Sequence, residues 1–569
     1  MLMSSVEVQY FRRRGLSQNT RANDMAQLCS RRGAGGTEDR PVTCTMMEGG
    51  PCEACRESAA IYHQIRQLEE EIAELKAKRR VLATTMNANH DPFIHKLPPE
   101  IGSHIFYLSM PSIDSSIWDP WEPQILLKLG AVCRKWRQLA WATPNLWVAL
   151  RLEIKPSTPL SLAESLPDLL REWLGRSGPL PLTVFFDHTG YAEIPPDSWL
   201  DFHFTRAEDI RVETLKTATD LVIEAIDLHW GRLENLHLNL VADVHKRISG
   251  SMKPNQITCL ELALFGADGD RSLTQIFITE SKCNPKYLTL TKFPPTSINI
   301  GWDNVTHATL SELYFEEYVE VLQRAHALEY CHMYGSAKDW NDPWTTIDPP
   351  TVILRPRLRS LNSDHSTKFL LDVINVPSLE EWTHDMGDEQ HDCASMISLL
   401  DRSNCFLKVL KLDGGFPKDL CDLLQVTPSL ESLCLTSWKF EDTAIVDDLF
   451  IRMSRSTPLS SVEGAASGSF LPHLHFMDCG ALSDAISPFN WDLIPKLYYQ
   501  GNRRSLSLES RAHESHISDE TALQLLQLVE EGVDLQICEL WTGSDFLKIF
   551  RERMKKEKIN SFLYTLPLT

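Results

Sequence analysis

The chain has 569 residues, more than a single hydrophobic core usually organises, so at least two structural regions are expected. It contains 56 Lys and Arg against 77 Asp and Glu, and the 18 basic and 16 acidic residues of positions 1–150 leave a net charge of −23 for residues 151–569. An acidic surface of that size repels phosphate backbones, which disfavours nucleic-acid binding by the larger part of the chain.

The sequence also bears on the compartment. No apolar run reaches the roughly 18 residues that a bilayer span needs, and the first twenty residues lack a secretory apolar segment, so we expect no membrane attachment. The Arg-rich segment FRRRGLSQNTR resembles a transit peptide only weakly because acidic residues lie nearby. The 14 cysteines stand singly within apolar runs, which indicates reduced thiols and a cytoplasmic or nuclear protein.

Residues 1–58 are predicted to be a disordered leader because they are rich in Gly, Ser, Arg and Thr and lack periodicity. Within them, CTMMEGGPCEAC supplies Cys44, Cys52 and Cys55, and the last two form a Cys-x-x-Cys pair, which is half of a zinc site. His63 is a conceivable fourth ligand. A second cysteine pair is missing from the segment, so free thiols are the favoured interpretation.

Residues 59–90 are predicted to form a coiled-coil helix. Apolar residues alternate there by four and three over close to four heptads, and only Arg79 breaks the seam. The seam consists of Ile61, Ile65, Leu68, Ile72, Leu75, Leu82 and Met86. Acidic residues precede basic ones, which complements the helix dipole and pairs Glu74 with Lys78. A homodimer through residues 61–86 and a helix that folds back on its own domain both fit, and Arg79 weakens a long parallel dimer.

A compact helical block follows. KLPPEIGSHIFYLSM begins at Pro98 and Pro99, where a first helical turn needs no amide donors. After a polar connection, ILLKLGAVCRKWRQLAWAT is predicted to be helical up to Thr143, and Trp136 and Trp147 are expected to pack within this block. Three short helices cannot bury all of this apolar surface among themselves, so part of it is expected to contact another protein.

The three stretches LPPEIGSHIF, LLKLGAVCRKWRQLA and TPNLW resemble, in this order, the F-box, a small three-helix module. The resemblance covers residues 95–150, about a tenth of the chain. One departure is the connection from Ser109 to Gln124, which is longer than the family usually shows.

The resemblance implies a partner, a Skp-type adaptor that joins the chain to a cullin-RING ubiquitin ligase. It also implies which positions bind the adaptor, those that match the opening and middle stretches. These positions are Leu97, Pro98, Ile101, Ile105, Phe106, Val132, Cys133, Trp136 and Leu139. Such a protein brings a target to the ligase and is not itself an enzyme, so no catalytic residue, metal or cofactor is expected.

Residues 151–200 are predicted to be a linker and capping segment that contains a helix, a turn at Gly178 and a strand. Over residues 201–569 a phrase of the form LxxLxL then returns. It reads LENLHL at 233, ITCLEL at 257, PKYLTL at 285, LSELYF at 310, LEYCHM at 328, LRSLNS at 358, LEEWTH at 379, LKVLKL at 407, LESLCL at 430 and LPHLHF at 471. Most of the offsets fall near the 20 to 29 residues of a leucine-rich repeat.

The predicted fold class is therefore α/β: a small all-α F-box-like module preceded by a coiled-coil helix and followed by a degenerate, leucine-rich-repeat-like solenoid. An α/β domain with unrelated strands is the alternative. The combination resembles the large fungal F-box-like families. The Ser- and Gly-rich stretch STPLSSVEGAASGSF explains the one long offset as an inserted loop.

The predicted function is that of a substrate-recognition subunit of a Skp/cullin/F-box-type ubiquitin ligase, with an interaction scaffold unconnected to ubiquitin as the alternative. A less favoured alternative is a metal-dependent enzyme, because LEEWTHDMGDEQHDC gathers carboxylates and imidazoles around one segment. Its candidate ligands are Glu380, Glu381, His384, Asp385, Asp388, Glu389, His391, Asp392 and Cys393. Their spacing matches no helix-borne metal motif, so a solvated acidic loop is favoured.

Overall fold

A computed structural model describes most of the chain and divides it into two units, residues 1–96 and residues 97–569. The described residues are 53–90, 96–110, 124–189, 206–245, 247–248, 256–265, 282–336, 352–387, 393–437, 443–455, 470–481, 489–499, 505–512, 517–539 and 542–564. Residues 1–52 of the predicted leader, with Cys44 and Cys52, lie outside them, as do the side chain of Cys55 and most of the predicted inserted loop.

The described part of the first unit consists mainly of one long helix, α1 (Glu53–His90). It begins six residues before the predicted start, so the leader predicted for residues 1–58 is corrected at its end, where residues 53–58 are helical. Glu74 and Lys78 form the expected ion pair at 3.9 Å, and Arg66 pairs with Glu70 at the same distance. The seam side chains are all exposed to solvent. Among the described helices, none is long and apolar enough to cross a membrane.

The second unit begins with three short helices and a 3-10 turn: α2 (Pro99–Leu108), α3 (Gln124–Val132), α4 (Arg134–Trp141) and Pro144–Trp147. The stretch predicted as one helix up to Thr143 is therefore two helices. The chain is extended at Cys133, with φ −157° and ψ 171°, and this residue caps α4. The helical pattern continues across the break, which explains why periodicity did not reveal it.

The rest of the second unit is built on one large parallel sheet of 14 strands that lie side by side in chain order. Its strands are β1 (Ala149–Ile154), β2 (Leu182–His188), β3 (Leu233–Leu240), β4 (Cys259–Leu264), β5 (Tyr287–Thr291), β6 (His307–Leu313), β7 (Tyr330–Ser336), β9 (Ser360–Asp364), β11 (Glu381–Asp385), β12 (Val409–Asp413), β13 (Ser432–Ser437), β14 (Phe476–Ala481), β15 (Ser507–Ala512) and β16 (Leu535–Glu539). The short strands β8 (Ile353–Leu354) and β10 (Ile374–Asn375) pair separately.

Helices connect many of these strands, as crossovers between parallel strands require. They are α5 (Leu160–Arg176), α6 (Arg206–Leu228), α7 (Ala242–His245), α8 (Phe315–Arg324), α9 (Lys368–Leu371), α10 (Ala394–Ser403), α11 (Leu420–Gln425), α12 (Thr443–Arg455), α13 (Ile494–Tyr499) and α14 (Asp519–Glu530), and α15 (Phe546–Tyr564) follows the last strand. The segment predicted at 151–200 to be a linker and cap supplies β1, α5 and β2, which are the first elements of the sheet. The alternation in ALRLEI is the strand signal there.

The core is made by positions 4 and 6 of the LxxLxL phrase, which lie in register across the sheet. Every residue of both rows is buried in all 14 strands. Row 4 runs Leu150, Val184, Leu236, Leu260, Leu288, Ala308, Cys331, Leu361, Trp382, Leu410, Leu433, Met477, Leu508 and Leu535. Helix residues join these rows in one apolar cluster that extends from Leu150 to Phe550.

Two of the ten predicted phrases are out of register. Leu310 pairs with Leu290 and so occupies position 6, which moves the start of that phrase from residue 310 to Val305. Met477 pairs with Leu433, which moves the last phrase from residue 471 to Leu474. Leucine occurs often enough near each strand to match the phrase in more than one frame, and only the pairing of neighbouring strands selects the correct one.

Candidate protein-docking surface

The first element of the candidate surface is α2, which starts where the sequence predicts. Pro99 stands at the first helical position, and the carbonyl of Pro98 accepts hydrogen bonds from the amides of Ile101 and Gly102, each at 3.1 Å. Glu100 lies in the first turn, where its charge favours the helix dipole. Ile101 and Ile105 therefore project from successive turns of one helix, and Pro98 lies at its N-cap, three residues before Ile101.

The second element is the junction between α3 and α4. The Sγ of Cys133 accepts a hydrogen bond from the amide of Trp136 at 3.4 Å, which satisfies a donor in the first turn of α4. Across the junction, the Arg137 guanidinium donates from Nε to the carbonyl of Gly130 at 2.8 Å. Cys133 thus has a structural reason for its place, in addition to the adaptor-binding role that the resemblance implies.

The interior of the helical block is built around Phe106, which is only 2% exposed. The centroid of its ring lies 5.0 Å from the ring centroid of the half-buried Trp136. The Thr143 hydroxyl donates to the carbonyl of Leu139 at 2.7 Å and shares a hydrogen bond with Ser103 Oγ at 2.8 Å, which ties α4 to α2. The adaptor contact predicted for Phe106 stays a prediction, and a side chain this deeply buried can support binding through the packing of its neighbours.

The other predicted positions keep accessible apolar surface. Ile101 is 47% exposed, Ile105 38% and Val132 53%, and Pro98 is exposed as well. Half-buried positions complete the set: Leu97, Cys133, Trp136 and Leu139. The helical block therefore leaves large apolar side chains in contact with water, which is uncommon for side chains without a binding role when several occur together.

Sequence reasoning missed three further exposed apolar residues of the same helices, Tyr107, Leu108 and Leu127. Leu108 lies one turn beyond Ile105 and extends the apolar face of α2. The spacing Ile101, Ile105, Leu108 was a usable signal, but Leu108 also fits an inward-facing stripe. Only the packed position of Phe106 decides between these two orientations.

The charge near these residues is positive. Helices α3 and α4 together contain Lys128, Arg134, Lys135 and Arg137 and no acidic residue. An acidic partner surface would be attracted to them.

The end of the helical block is covered by the chain's own later segments. Trp147 is buried, its Nε1 donates to the carbonyl of Ala140 at 2.8 Å, and its ring meets that of Trp173 edge to face at 4.7 Å between centroids. The Arg176 guanidinium lies over the rings of both Trp141 and Trp147, at 4.3 and 4.6 Å. Helix α5 thus fixes the block at the first strand, and Ile101, Ile105 and Val132 stay exposed.

The described residues of the acidic segment around His384 make structural contacts. His384 occupies position 6 of its strand, is buried, and shares a hydrogen bond with Ser363 Oγ at 2.8 Å through Nδ1. Trp382 donates from its indole to the same Ser363 oxygen at 3.0 Å. Glu380, two residues before Trp382, forms an ion pair with Lys408, with 3.2 Å between the Glu380 carboxylate and the Lys408 Nζ.

Two more members of the segment also have structural contacts. The Asp385 carboxylate accepts the amide of Gly387 at 2.8 Å, and the amide of Cys393 donates to Asp419 at 2.9 Å. Asp388, Glu389, His391 and Asp392 lie outside the described residues. Within the described part of the chain, no group of three or more His, Cys, Asp or Glu side chains is placed to hold a metal ion.

Several cysteines of the second unit are buried core residues, namely Cys283, Cys331, Cys393, Cys421 and Cys479, and others, such as Cys259, are partly buried. Burial raises the pKa of the Cys259, Cys283 and Cys331 thiols to about 12. They therefore stay protonated and weakly nucleophilic at neutral pH. The ten cysteines whose side chains the structure describes are all free thiols.

Comparison with known families agrees with the geometry of the helical block. The family model described as F-box-like matches residues 94–153. These residues are therefore an F-box-like domain, and the resemblance stated for residues 95–150 is confirmed. F-box-like domains are protein-interaction modules that commonly serve in Skp/cullin/F-box ubiquitin ligases. No curated protein matches the chain.

Proposed function

We propose that this protein is a substrate-recognition subunit of a Skp/cullin/F-box-type ubiquitin ligase. The observation that carries the proposal is the coincidence of the F-box-like match with exposed apolar side chains at matching positions, Ile101, Ile105 and Val132. A partner that covers them gains the free energy of removing that surface from water. The predicted contact set is then Leu97, Pro98, Phe106, Cys133, Trp136 and Leu139 together with these three.

The basic residues of α3 and α4 support an acidic adaptor surface. Rim charges mainly speed association and weaken with added salt, whereas buried apolar anchors set the dissociation rate. We therefore expect the association rate to fall with ionic strength and the dissociation rate to change little.

We further propose that residues 149–539 form a leucine-rich-repeat-like solenoid that binds the target protein. Fourteen strands in chain order and two continuous buried rows support it. With the two corrected phrases, most starting points lie 20 to 30 residues apart, as stacked repeats require. The chain would then act in the cytoplasm or nucleus, present a target by proximity and leave bond chemistry to other subunits.

The sheet face opposite the core is the proposed target surface. Exposed Tyr287 and Tyr330 flank His307 on neighbouring strands, with ring centroids 4.6 and 4.4 Å apart. Rigid aromatic side chains are enriched at protein interfaces. The charge of −23 over residues 151–569 favours a basic target.

The test is capture of a purified Skp-type adaptor by the full chain. Changing Ile101→Asp and Ile105→Asp together should reduce adaptor affinity at least tenfold, because both charges would be desolvated in the interface. A matched control is the pair Phe406→Asp and Leu523→Asp, since both residues are exposed and apolar but lie outside the F-box-like domain. Equal capture by wild type and by the Ile101 and Ile105 variant would leave the scaffold alternative.

A further inference from the structure

Helix α1 has an apolar face that nothing in the adaptor-docking proposal uses. Its seam runs over residues 61–86 and every seam side chain is exposed. The heptad spacing places Ile61, Leu68, Leu75 and Leu82 at d and Ile65, Ile72, Arg79 and Met86 at a. An exposed a/d seam of this length fits a second helix of the same periodicity, and a second copy of the chain supplies one.

The charges of α1 decide the direction in which two copies would pair. Glu69, Glu70 and Glu71 form an acidic block in the first half of the seam, and Lys76, Lys78, Arg79 and Arg80 form a basic block in the second. In a parallel dimer each block would lie beside the identical, like-charged block of the second copy. Arg79 would then face Arg79 of the second copy inside the apolar seam, where unpaired like charges are costly.

An antiparallel dimer avoids this contact and uses the whole seam. With Ile72 of one helix opposite Leu75 of the other, the next layers match Leu68 with Arg79. Beyond them, Ile65 matches Leu82 and Ile61 matches Met86. The seam is thus symmetric about its midpoint, and no apolar layer is left over.

The same register brings opposite charges together on both flanks. The e positions pair Glu69 with Lys76 of the second copy, and the g positions pair Glu71 with Lys78. By symmetry each pair occurs twice, so four ion pairs form. A parallel dimer offers only the two symmetric pairs of Glu71 with Lys76. Arg79 lies opposite Leu68 and beside the acidic block of the other helix, so its charge is paired.

We propose that α1 forms an antiparallel two-stranded coiled coil between two copies of this chain, centred between Ile72 and Leu75. In this arrangement the two positions 90 are roughly 50 Å apart along the axis, at 1.5 Å per residue. A parallel dimer would hold them side by side. The F-box-like domain begins at residue 94, so the two domains are attached at opposite ends of the coiled coil. Under the proposed receptor function, on which this consequence rests, the assembly presents two separate adaptor-docking sites.

A photo-crosslinking experiment on the full chain reads the direction. Benzoylphenylalanine replaces Tyr62, an e position whose antiparallel neighbour is Ala83, close to Met86. After irradiation and trypsin digestion, the antiparallel dimer yields a cross-link from peptide 57–66 to peptide 81–96. The matched control carries the same group in place of His63, which points away from the seam, and should give at least tenfold less cross-linked dimer.

Two other products would overturn the proposal. A cross-link between two copies of peptide 57–66 means a parallel dimer, and a cross-link to any peptide of residues 97–569 within a chain of monomer mass means that α1 folds back on its own chain. Absence of cross-linked dimer together with a mass of 64.8 kDa in solution would likewise reject it.

Seam variants separate this inference from the adaptor proposal. Ile72→Glu with Leu75→Glu should convert the dimer to monomer, because the new carboxylates would face each other across the two central layers, whereas Ala73→Glu with Ala77→Glu, two exposed positions off the seam, should leave it dimeric. Adaptor capture is measured on the same samples. A monomeric wild type that captures the adaptor overturns only the coiled-coil proposal, and a dimeric wild type that does not capture it overturns only the adaptor proposal.

Discussion

Trp147 and Ala140 are joined by a hydrogen bond of 2.8 Å from the indole Nε1 to the backbone carbonyl, at the point where the helical domain meets the sheet. Trp147 ends the 3-10 turn of the F-box-like domain and also stands at position 1 of the first LxxLxL-like phrase, WVALRL. One side chain therefore belongs to both structures. The domain is built onto the first strand and is not joined to it by a linker.

The first prediction concerns this shared residue. Trp147→Ala should lower the free energy of unfolding by about 3–5 kcal/mol, because it removes a large buried ring. Trp147→Phe should cost less, about 1–3 kcal/mol, since it keeps most of the apolar contact and removes only the indole donor to the Ala140 carbonyl, which still accepts the Thr143 amide at 3.3 Å. Urea unfolding followed by circular dichroism measures both. Two separate transitions in the wild type, one of them unaffected by Trp147→Ala, would contradict the coupling.

Much of this architecture can be read from the sequence. Ten phrases predict ten strands of the sheet, and three ordered stretches predict the helical domain, because burial of alternating leucines and of helical stripes leaves a periodic trace. The frames at LSELYF and LPHLHF are wrong because leucine also occupies other positions of the phrase: Leu310 stands at position 6 and Leu474 at position 1. Strand pairing, which depends on residues far apart in sequence, fixes the frame.

The candidate site was less predictable. Ile105 and Phe106 are neighbours in sequence with similar hydrophobicity, yet one is exposed and the other is buried. A short helix with apolar residues on most sides carries no sequence signal for which side its partners cover. The same holds for His384, since a histidine in an acidic segment and a histidine inside a repeat strand look alike until the register is known.

The second prediction separates the buried apolar residues of α2 from the exposed ones. Phe106→Ala should destabilise the chain by about 3–5 kcal/mol through loss of its contact with Trp136. Ile105→Asp should change the free energy of unfolding by less than about 1 kcal/mol, as exposed substitutions usually do, but should weaken adaptor capture. Unfolding and capture are measured on both variants. A stable Phe106→Ala protein that loses capture would indicate that Phe106 contacts the adaptor directly.

The third prediction concerns His384. Its ring fills position 6 and bonds to Ser363, so His384→Ala should lower the free energy of unfolding by about 1–3 kcal/mol. The control Glu380→Gln breaks only a half-exposed ion pair with Lys408 and should cost less than about 1 kcal/mol. Metal analysis of purified protein accompanies both. A stoichiometric metal that disappears when His384 and His391 are both changed to Ala would instead support the metal-enzyme alternative.

The last prediction is a pH dependence set by two buried histidines. Burial lowers the pKa of His188 and of His245 from 6.5 to about 4, and the His245 Nε2 lies 3.0 Å from the carbonyl of Ala263, to which it donates. Both rings are therefore neutral in the folded chain at pH values where the unfolded chain already binds protons. The contribution of these neutral rings to the free energy of unfolding is complete above pH 6.5. It falls as the pH drops toward 4, by up to about 3 kcal/mol for each ring.

His245→Gln removes one of these titrations without introducing a charge. Urea unfolding at pH 7.5, 6.0 and 4.5 should show that the wild type loses more stability than the variant between pH 6.0 and 4.5, by about 2 kcal/mol. Other acidic groups titrate in the same range in both proteins, so the difference between the two curves isolates His245. Parallel curves would mean that the ring is protonated in the folded chain or that water reaches it, and the packing of the Ala263 contact would have to be revised.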